Sequence, residues 1–245
     1  METALLDKVR KLLAKAEDDA CTPAEAEAFT AKAAELIAKY GIDAALLADA
    51  RPDSDRVGDR TVVFDPPFAL DKANLLAAVA VALRCGVVRR KDLGVDGRRR
   101  TLVHLFGYGA DLERVDLLCT SLLVQAVHAL AGEAVPAGES PAAYRRSWYA
   151  GYTVAIGRRL RQAESSAAAS SAADAPVASG RSLALVLADR AAVVDAALRE
   201  AYPHTRAGRG RSLSGSGGRS GYDAGQRADL GDARVGAARR RELGA

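Results

Sequence analysis

Residues 87–123, VVRRKDLGVDGRRRTLVHLFGYGADLERVDLLCTSLL, decide the fold. Val87 to Lys91 and Thr101 to Phe106 read as two strands, and Asp96-Gly97 between them is a turn signal, so a β-hairpin is predicted. After Gly107 the period changes. Leu112, Val115, Leu118, Leu122, Leu123, Ala126 and Leu130 recur at helical spacing, which predicts a long helix after the second strand. Upstream, Thr61 to Phe64 is a short strand stopped by Asp65-Pro66-Pro67, and Asp71 is placed to cap a helix carrying Leu75, Leu76, Val79, Ala80 and Leu83. Downstream, Ser140-Pro141 opens a helix with Tyr144, Trp148, Tyr152, Ile156 and Leu160 along it. Helix, hairpin, helix, helix is a helix-rich α+β arrangement over residues 61–162, with helices covering one face of a small antiparallel sheet.

Residues 1–42 form a separate pattern, a helical hairpin. Leu5, Val9, Leu12, Leu13 and Ala16 share one helix face, and Phe29, Ala33, Leu36, Ile37 and Tyr40 share another. Thr22-Pro23-Ala24-Glu25 is a capping box at the start of the second arm, with proline at its first helical position. Gly41 is suited to end that arm in the left-handed conformation, with Ile42 folding back onto Ile37. Two such arms bury too little apolar surface to stand alone, so the hairpin must dock on the rest of the chain or on a partner.

The remaining segments read as connectors and tail. Residues 43–60 contain RPDSDRVGDR and are predicted to be a linker. Residues 163–180, AESSAAASSAADAPVASG, lack large apolar side chains and are read as a second linker. In 181–203, Ser182 to Leu187 has the composition of a strand and Asp189 can cap a following helix. Residues 204–245 begin with a Gly/Ser/Arg-rich run expected to remain disordered. They end in a marginal helix interrupted by glycines, each costing about 1 kcal/mol relative to alanine.

Composition excludes several function classes. Cys21, Cys85 and Cys119 are odd in number and without CxxC, so neither a disulfide framework nor a zinc cluster is expected. His104, His128 and His204 are scattered, with no pair at ligand spacing. No metal and no cofactor is predicted. No run of 18 apolar residues exists, so no membrane span is expected. The N-terminus lacks a signal peptide's cationic head and apolar middle, which points to a cytoplasmic protein.

Charge is the more informative signal. Arginine outnumbers lysine 28 to 7, a bias that GC-rich coding also produces, so its distribution matters more than its total. From Arg206 to Ala245 there are nine arginines against four acids. The predicted hairpin holds a second cationic cluster. The remainder of the chain is acidic. Two basic patches on an acidic body favour a polyanion. The candidate phosphate contacts are Arg89, Arg90, Lys91, Arg98, Arg99 and Arg100 on the hairpin, with Arg206, Arg209, Arg211, Arg219, Arg239, Arg240 and Arg241 in the tail.

The stretch KVRKLLAKAEDDACTPAEAEAFTAKAAELIAKYGI, residues 8–42, resembles the family of domain of unknown function 2786. The resemblance rests on Lys8, Leu12, Leu13, Ala16, Glu17, Thr22, Pro23, Glu25, Ala26, Lys32, Ala33, Leu36 and the final Tyr40-Gly41-Ile42. Phe29 and Ile37 stand where the family usually has alanine and methionine. FGYGADLERVDLLCTSLL and YRRSWYAGYTVAIGRRL more weakly resemble the uncharacterised region that often follows this hairpin. The resemblance implies a helical hairpin with an α+β region behind it, in bacterial, actinobacterial and phage proteins without an established activity. It transfers no catalytic residue.

Other constellations read as structural. Asp111 is a favourable first-turn anion of its helix, and Asp111 or Glu113 is the candidate acid for chemistry on nucleic acid. Tyr144, Trp148 and Tyr152 form a stripe that suits a core better than base stacking. Cys119 and His128 lie too far apart on their helix to pair. The sequence thus leads to a non-enzymatic nucleic-acid-associated protein that contacts phosphates through a basic hairpin and an Arg-rich tail. The alternative is a protein-interaction adaptor whose N-terminal hairpin docks on a protein partner.

Overall fold

The computed structural model describes residues 23–94, 97–174, 181–206, 208, 210–228 and 230. It is the expected helix-rich α+β fold, with six α-helices and one three-stranded antiparallel sheet among the described residues. In chain order these are α1 (Pro23–Ala50), a single 3-10 turn (Pro52–Ser54), β1 (Val57–Phe64), α2 (Ala69–Ala82), β2 (Gly86–Leu93), β3 (Arg99–Tyr108), α3 (Gly109–Ala131), α4 (Pro141–Asp174), α5 (Leu183–Ala201) and α6 (Gly218–Arg227). The first arm of the N-terminal hairpin, with its capping threonine, lies outside the described residues.

β3 is the central strand, in the order β1-β3-β2. Alternation along it divides the sheet. Val103 and Leu105 point into the main core, where Leu75, Leu76, Val79, Leu122, Trp148, Tyr152 and Ile156 are also buried. The expectation that helices cover only one face needs correction. Gly86, opposite Phe106, lies under Val194 and Leu198 of α5, and Tyr202 packs edge-on against His104 and Phe106. Ser182 caps α5, accepting the Leu185 N–H at 3.3 Å. Residues 183–187 are therefore helical rather than a strand.

Three boundaries differ from the sequence reading. α1 does not stop at Gly41 but continues to Ala50, burying Ile42, Ala44, Ala45 and Ala48. The helix consumes the first part of the supposed 43–60 linker, and β1 already starts at Val57. α4 runs to Asp174, well into the supposed 163–180 linker, because alanine sustains a helix without large side chains and Glu164 is buried in ion pairs. α2 starts at Ala69, two residues before the expected cap. Asp71 sits buried in its first turn and accepts from Arg211 at 2.7 Å.

The largest difference is the Gly/Ser/Arg-rich run expected to be disordered: from Gly215 to Gly221 it is docked on α4, together with the start of the segment read as a marginal helix. Its glycines let two backbones meet. A Cβ on Gly221 would lie 1.9 Å from the Trp148 carbonyl oxygen, and one on Gly151 would lie 1.9 Å from that of Gly218. Glu139 accepts from the Ser216 N–H at 2.7 Å, and Arg159 donates to the carbonyls of Gly225 and Ala228 where α6 ends. Ala228 and Leu230 join the core. Glycines that weaken an isolated helix are what allow this one to pack.

α3 is long and apolar enough to cross a membrane by length and composition. In this fold its Leu112, Val115, Leu118 and Leu122 are buried in the main core.

Gly221→Ala is expected to cost about 1–3 kcal/mol through overpacking. The readouts are a lower melting midpoint and faster tryptic cleavage at Arg211 and Arg219. An unchanged melt would contradict this packing.

Candidate functional site

Three arginines and three carboxylates converge where α1, the end of α2, the start of α3, α4 and α5 meet. Arg114 is fully buried; it donates to Asp111 Oδ1 at 2.8 Å and also to Glu164 Oε1. Arg84 donates to Glu164 Oε2 at 2.6 Å and to Asp111 Oδ1 at 3.2 Å. Arg190 donates to Asp55 Oδ2 at 2.7 Å, lies 3.6 Å from Asp111 Oδ2, and stacks 3.5 Å over the Tyr108 ring. Burial works against the Arg84 charge, but Asp111 and Glu164 more than offset it, holding the group above its ordinary pKa. Three cations against three anions leave the cluster formally neutral, the condition under which buried charge is tolerated.

Backbone geometry is adapted to this cluster. Arg84 follows α2 at φ 66°, in the left-handed region, where glycine is the usual residue. The Cys85 N–H bonds to the Ala80 carbonyl at 2.9 Å and the Arg84 N–H to that of Val81 at 3.3 Å, a Schellman closure. An arginine there costs about 1–2 kcal/mol of backbone strain, offset by anchoring its guanidinium. On the other side, the cluster lies against α1 at Gly41. A Cβ there would fall 2.0 Å from Arg114 Nη1 and 2.8 Å from Arg84 Nη2. Gly41 is needed for close approach within a helix, not for the left-handed cap expected from sequence.

Asp55 completes the arrangement by capping α3 from another part of the chain. It accepts the Ala110 N–H at 3.3 Å, while the Gly109 N–H donates to the Arg56 carbonyl at 3.1 Å. Asp111, one of the candidate acids, is thus held among Arg84, Arg114 and Arg190; Glu113 is exposed. Burial pushes the thiols of Cys85 and Cys119 up to about 12, so both are held as inert thiols. The aromatic stripe is core, as expected. Trp148 stacks on Tyr152 at 5.1 Å, and Tyr144 donates to Glu133 at 2.9 Å.

The predicted phosphate contacts separate into distinct settings. Arg89 donates to Asn74, and Arg100 pairs with Asp65 at 2.6 Å. Arg211 is held by Asp71, and Arg219 pairs with Asp223 at 3.2 Å along α6. Arg98 is exposed and also engaged. Arg90, Lys91 and Arg99 are exposed and make no ion pair among the described residues, and Arg206 is exposed where the chain leaves Tyr202. Arg209, Arg239, Arg240 and Arg241 lie outside the described residues.

Sequence reasoning missed a second polar chain on the α5 face of the sheet. His104 Nε2 lies 2.8 Å from Asp59 Oδ2, and its Nδ1 lies 2.8 Å from the Tyr202 hydroxyl. Asp59 and Tyr202 are 45 and 98 residues from His104, so no local spacing could announce them.

Arg114→Ala is expected to cost about 3–5 kcal/mol, because it leaves Asp111 and Glu164 short of a buried partner. Chemical denaturation measures this directly, and a loss below about 1 kcal/mol would place the pair in the class of solvent-screened surface bridges.

Residues 4–44 match the family described as protein of unknown function (DUF2786). No curated protein and no solved structure matches the chain. The match ends just beyond Tyr40-Gly41-Ile42, the turn of α1 that receives the guanidinium groups. The similarity to the family of domain of unknown function 2786 thus covers residues 4–44 of the chain.

Proposed function

We propose that the protein associates with nucleic acid through the tip of the β2–β3 ribbon. One observation carries this reading. β1 ends opposite Thr101, whereas β2 and β3 continue pairing through Asp92–Arg100 and Leu93–Arg99, so a two-stranded ribbon runs past the three-stranded sheet. Arg90, Lys91 and Arg99 on or beside that extension are exposed and free of ion pairs among the described residues. Alternation puts Lys91 and Arg99 on one face and Arg90 on the other. A two-stranded ribbon fits the width of the B-DNA major groove, and cations on both faces meet phosphates on both walls. The half-exposed Arg100–Asp65 pair is weak enough to exchange for a phosphate.

The tail contributes less than its composition suggests, since Arg211 and Arg219 already have carboxylate partners. Arg206 adds to the ribbon's side of the molecule. Gly208, two residues on, lies beside Arg89, 3.0 Å from its Nη2 to a Cβ built on the glycine. The adaptor alternative has weaker support. Leu36, Ile37, Tyr40, Ile42 and Ala45 of α1 are buried within this chain, so that face of the N-terminal hairpin is not open to a partner.

The test is retention of duplex DNA and RNA across a salt series. Three phosphate contacts correspond to a slope of about −2.7 in log K against log salt. The variant R90A/K91A/R99A is expected to lose about that much of the slope while melting like the unaltered chain. Equal slopes for the two proteins would remove the ribbon from the interface.

A further inference from the structure

We propose that Tyr202 is a nucleophile for phosphodiester transfer, with His104 as its general base. Both ring nitrogens of His104 are engaged, each at 2.8 Å, by groups of opposite character. The Asp59 carboxylate can only accept, so it fixes the proton of the neutral imidazole on Nε2. The lone pair of Nδ1 then faces the Tyr202 hydroxyl, which must donate to it. Carboxylate, imidazole and hydroxyl in this order form the arrangement that activates a hydroxyl nucleophile, recognised by geometry and not by position in the chain.

Tyr202 is held for such a role. It is the residue that closes α5, its N–H bonded to the Leu198 carbonyl at 2.9 Å. Its ring stands edge-on to His104 at 82° and to Phe106 at 86°. The side chain is half-buried, so the hydroxyl is oriented while part of the residue still meets solvent. Asp59, most of whose side chain is exposed, orients His104 and touches no reacting atom.

The strand register supplies the class of substrate. Val88 pairs with His104 and Arg90 with Leu102. Alternation therefore sets Arg90 on the same face as His104, one diagonal step away, about 7–8 Å between backbones. Arg90 is exposed, and Arg206 follows Tyr202 by four residues and is exposed too. An exposed cation one diagonal step from the base suits a phosphodiester, whose charge it attracts and whose transition state it stabilises.

The step balances without a further reactant. The phenolic oxygen forms a bond to phosphorus as the bond from phosphorus to one sugar oxygen breaks. The phenolic proton passes to His104 Nδ1 and from there to the departing alkoxide. The products are a tyrosyl phosphodiester and a free hydroxyl end.

The choice of a nucleic-acid strand as substrate rests on the binding reading above, and the experiment separates the two. The full chain is incubated with end-labelled duplex DNA and RNA oligonucleotides. Retention is read on a native gel, and covalent attachment on a denaturing gel with mass mapping of the Tyr202 peptide. The unaltered chain is expected to give a denaturation-resistant adduct at Tyr202. Tyr202→Phe abolishes it while retaining the oligonucleotide normally. His104→Gln slows its formation at least about 100-fold, the lower range for a general base. Asp59→Asn slows it with retention unchanged. Retention without any adduct overturns the nucleophile and leaves the binding interface standing. An adduct that persists in Tyr202→Phe overturns it as well, and absence of both retention and adduct overturns both proposals.

Discussion

The guanidinium groups of Arg84 and Arg114 meet the backbone of α1 at Gly41, and much of the fold depends on that contact. The two arginines share Asp111 and Glu164, which brings α2, α3 and α4 together around α1. Arg190 extends the same network to α5 and, through Asp55, to the turn that caps α3. Each member is buried or nearly so, and removing one charge leaves another without its counter-ion in a poorly solvated interior. Buried networks of this kind contribute less to net stability than to uniqueness of arrangement. In this packing all three arginines are paired with carboxylates.

That constraint separates interior from exterior electrostatics. Arg84, Arg114 and Arg190 neutralise carboxylates inside, and Arg211 does the same at the edge of α2. Arg90, Lys91 and Arg99, exposed and without an ion pair among the described residues, lie together at the ribbon. The second face of the sheet, half covered by α5, carries the Asp59–His104–Tyr202 chain one diagonal step from Arg90. The ribbon is thus a cationic edge with a polar chain beside it, a combination that suits a phosphate-bearing ligand better than an apolar one.

Much of this architecture was legible from local patterns. The two apolar strands either side of the turn signal, the period change after Gly107 and the apolar spacing from Leu112 to Leu130 place β2, β3 and α3 correctly. What could not be read was long-range. Arg84 and Glu164 are 80 residues apart, and Arg190 and Asp55 are 135 apart; nothing in either neighbourhood marks it as an ion-pair partner. The same limit misassigned Gly41, whose usual meaning near a helix end is a left-handed cap. It also misassigned Gly221, read as part of a disordered run, and Gly225, read as weakening a helix, both of which admit close backbone contact with α4. Arginine-rich composition was the least reliable guide, because it does not distinguish a cation facing solvent from one buried against a carboxylate.

The most direct test of the account is the stability of full-length Gly41→Ala. Gly41 lies inside α1 and has no positive φ. On helix propensity alone, alanine there stabilises by about 1 kcal/mol. If α1 is seated on the buried guanidinium groups, the added methyl collides with Arg114, and the variant loses about 1–3 kcal/mol in denaturant titration. A variant as stable as the unaltered chain, or more so, would show that the arginine cluster does not bear on α1 at this residue.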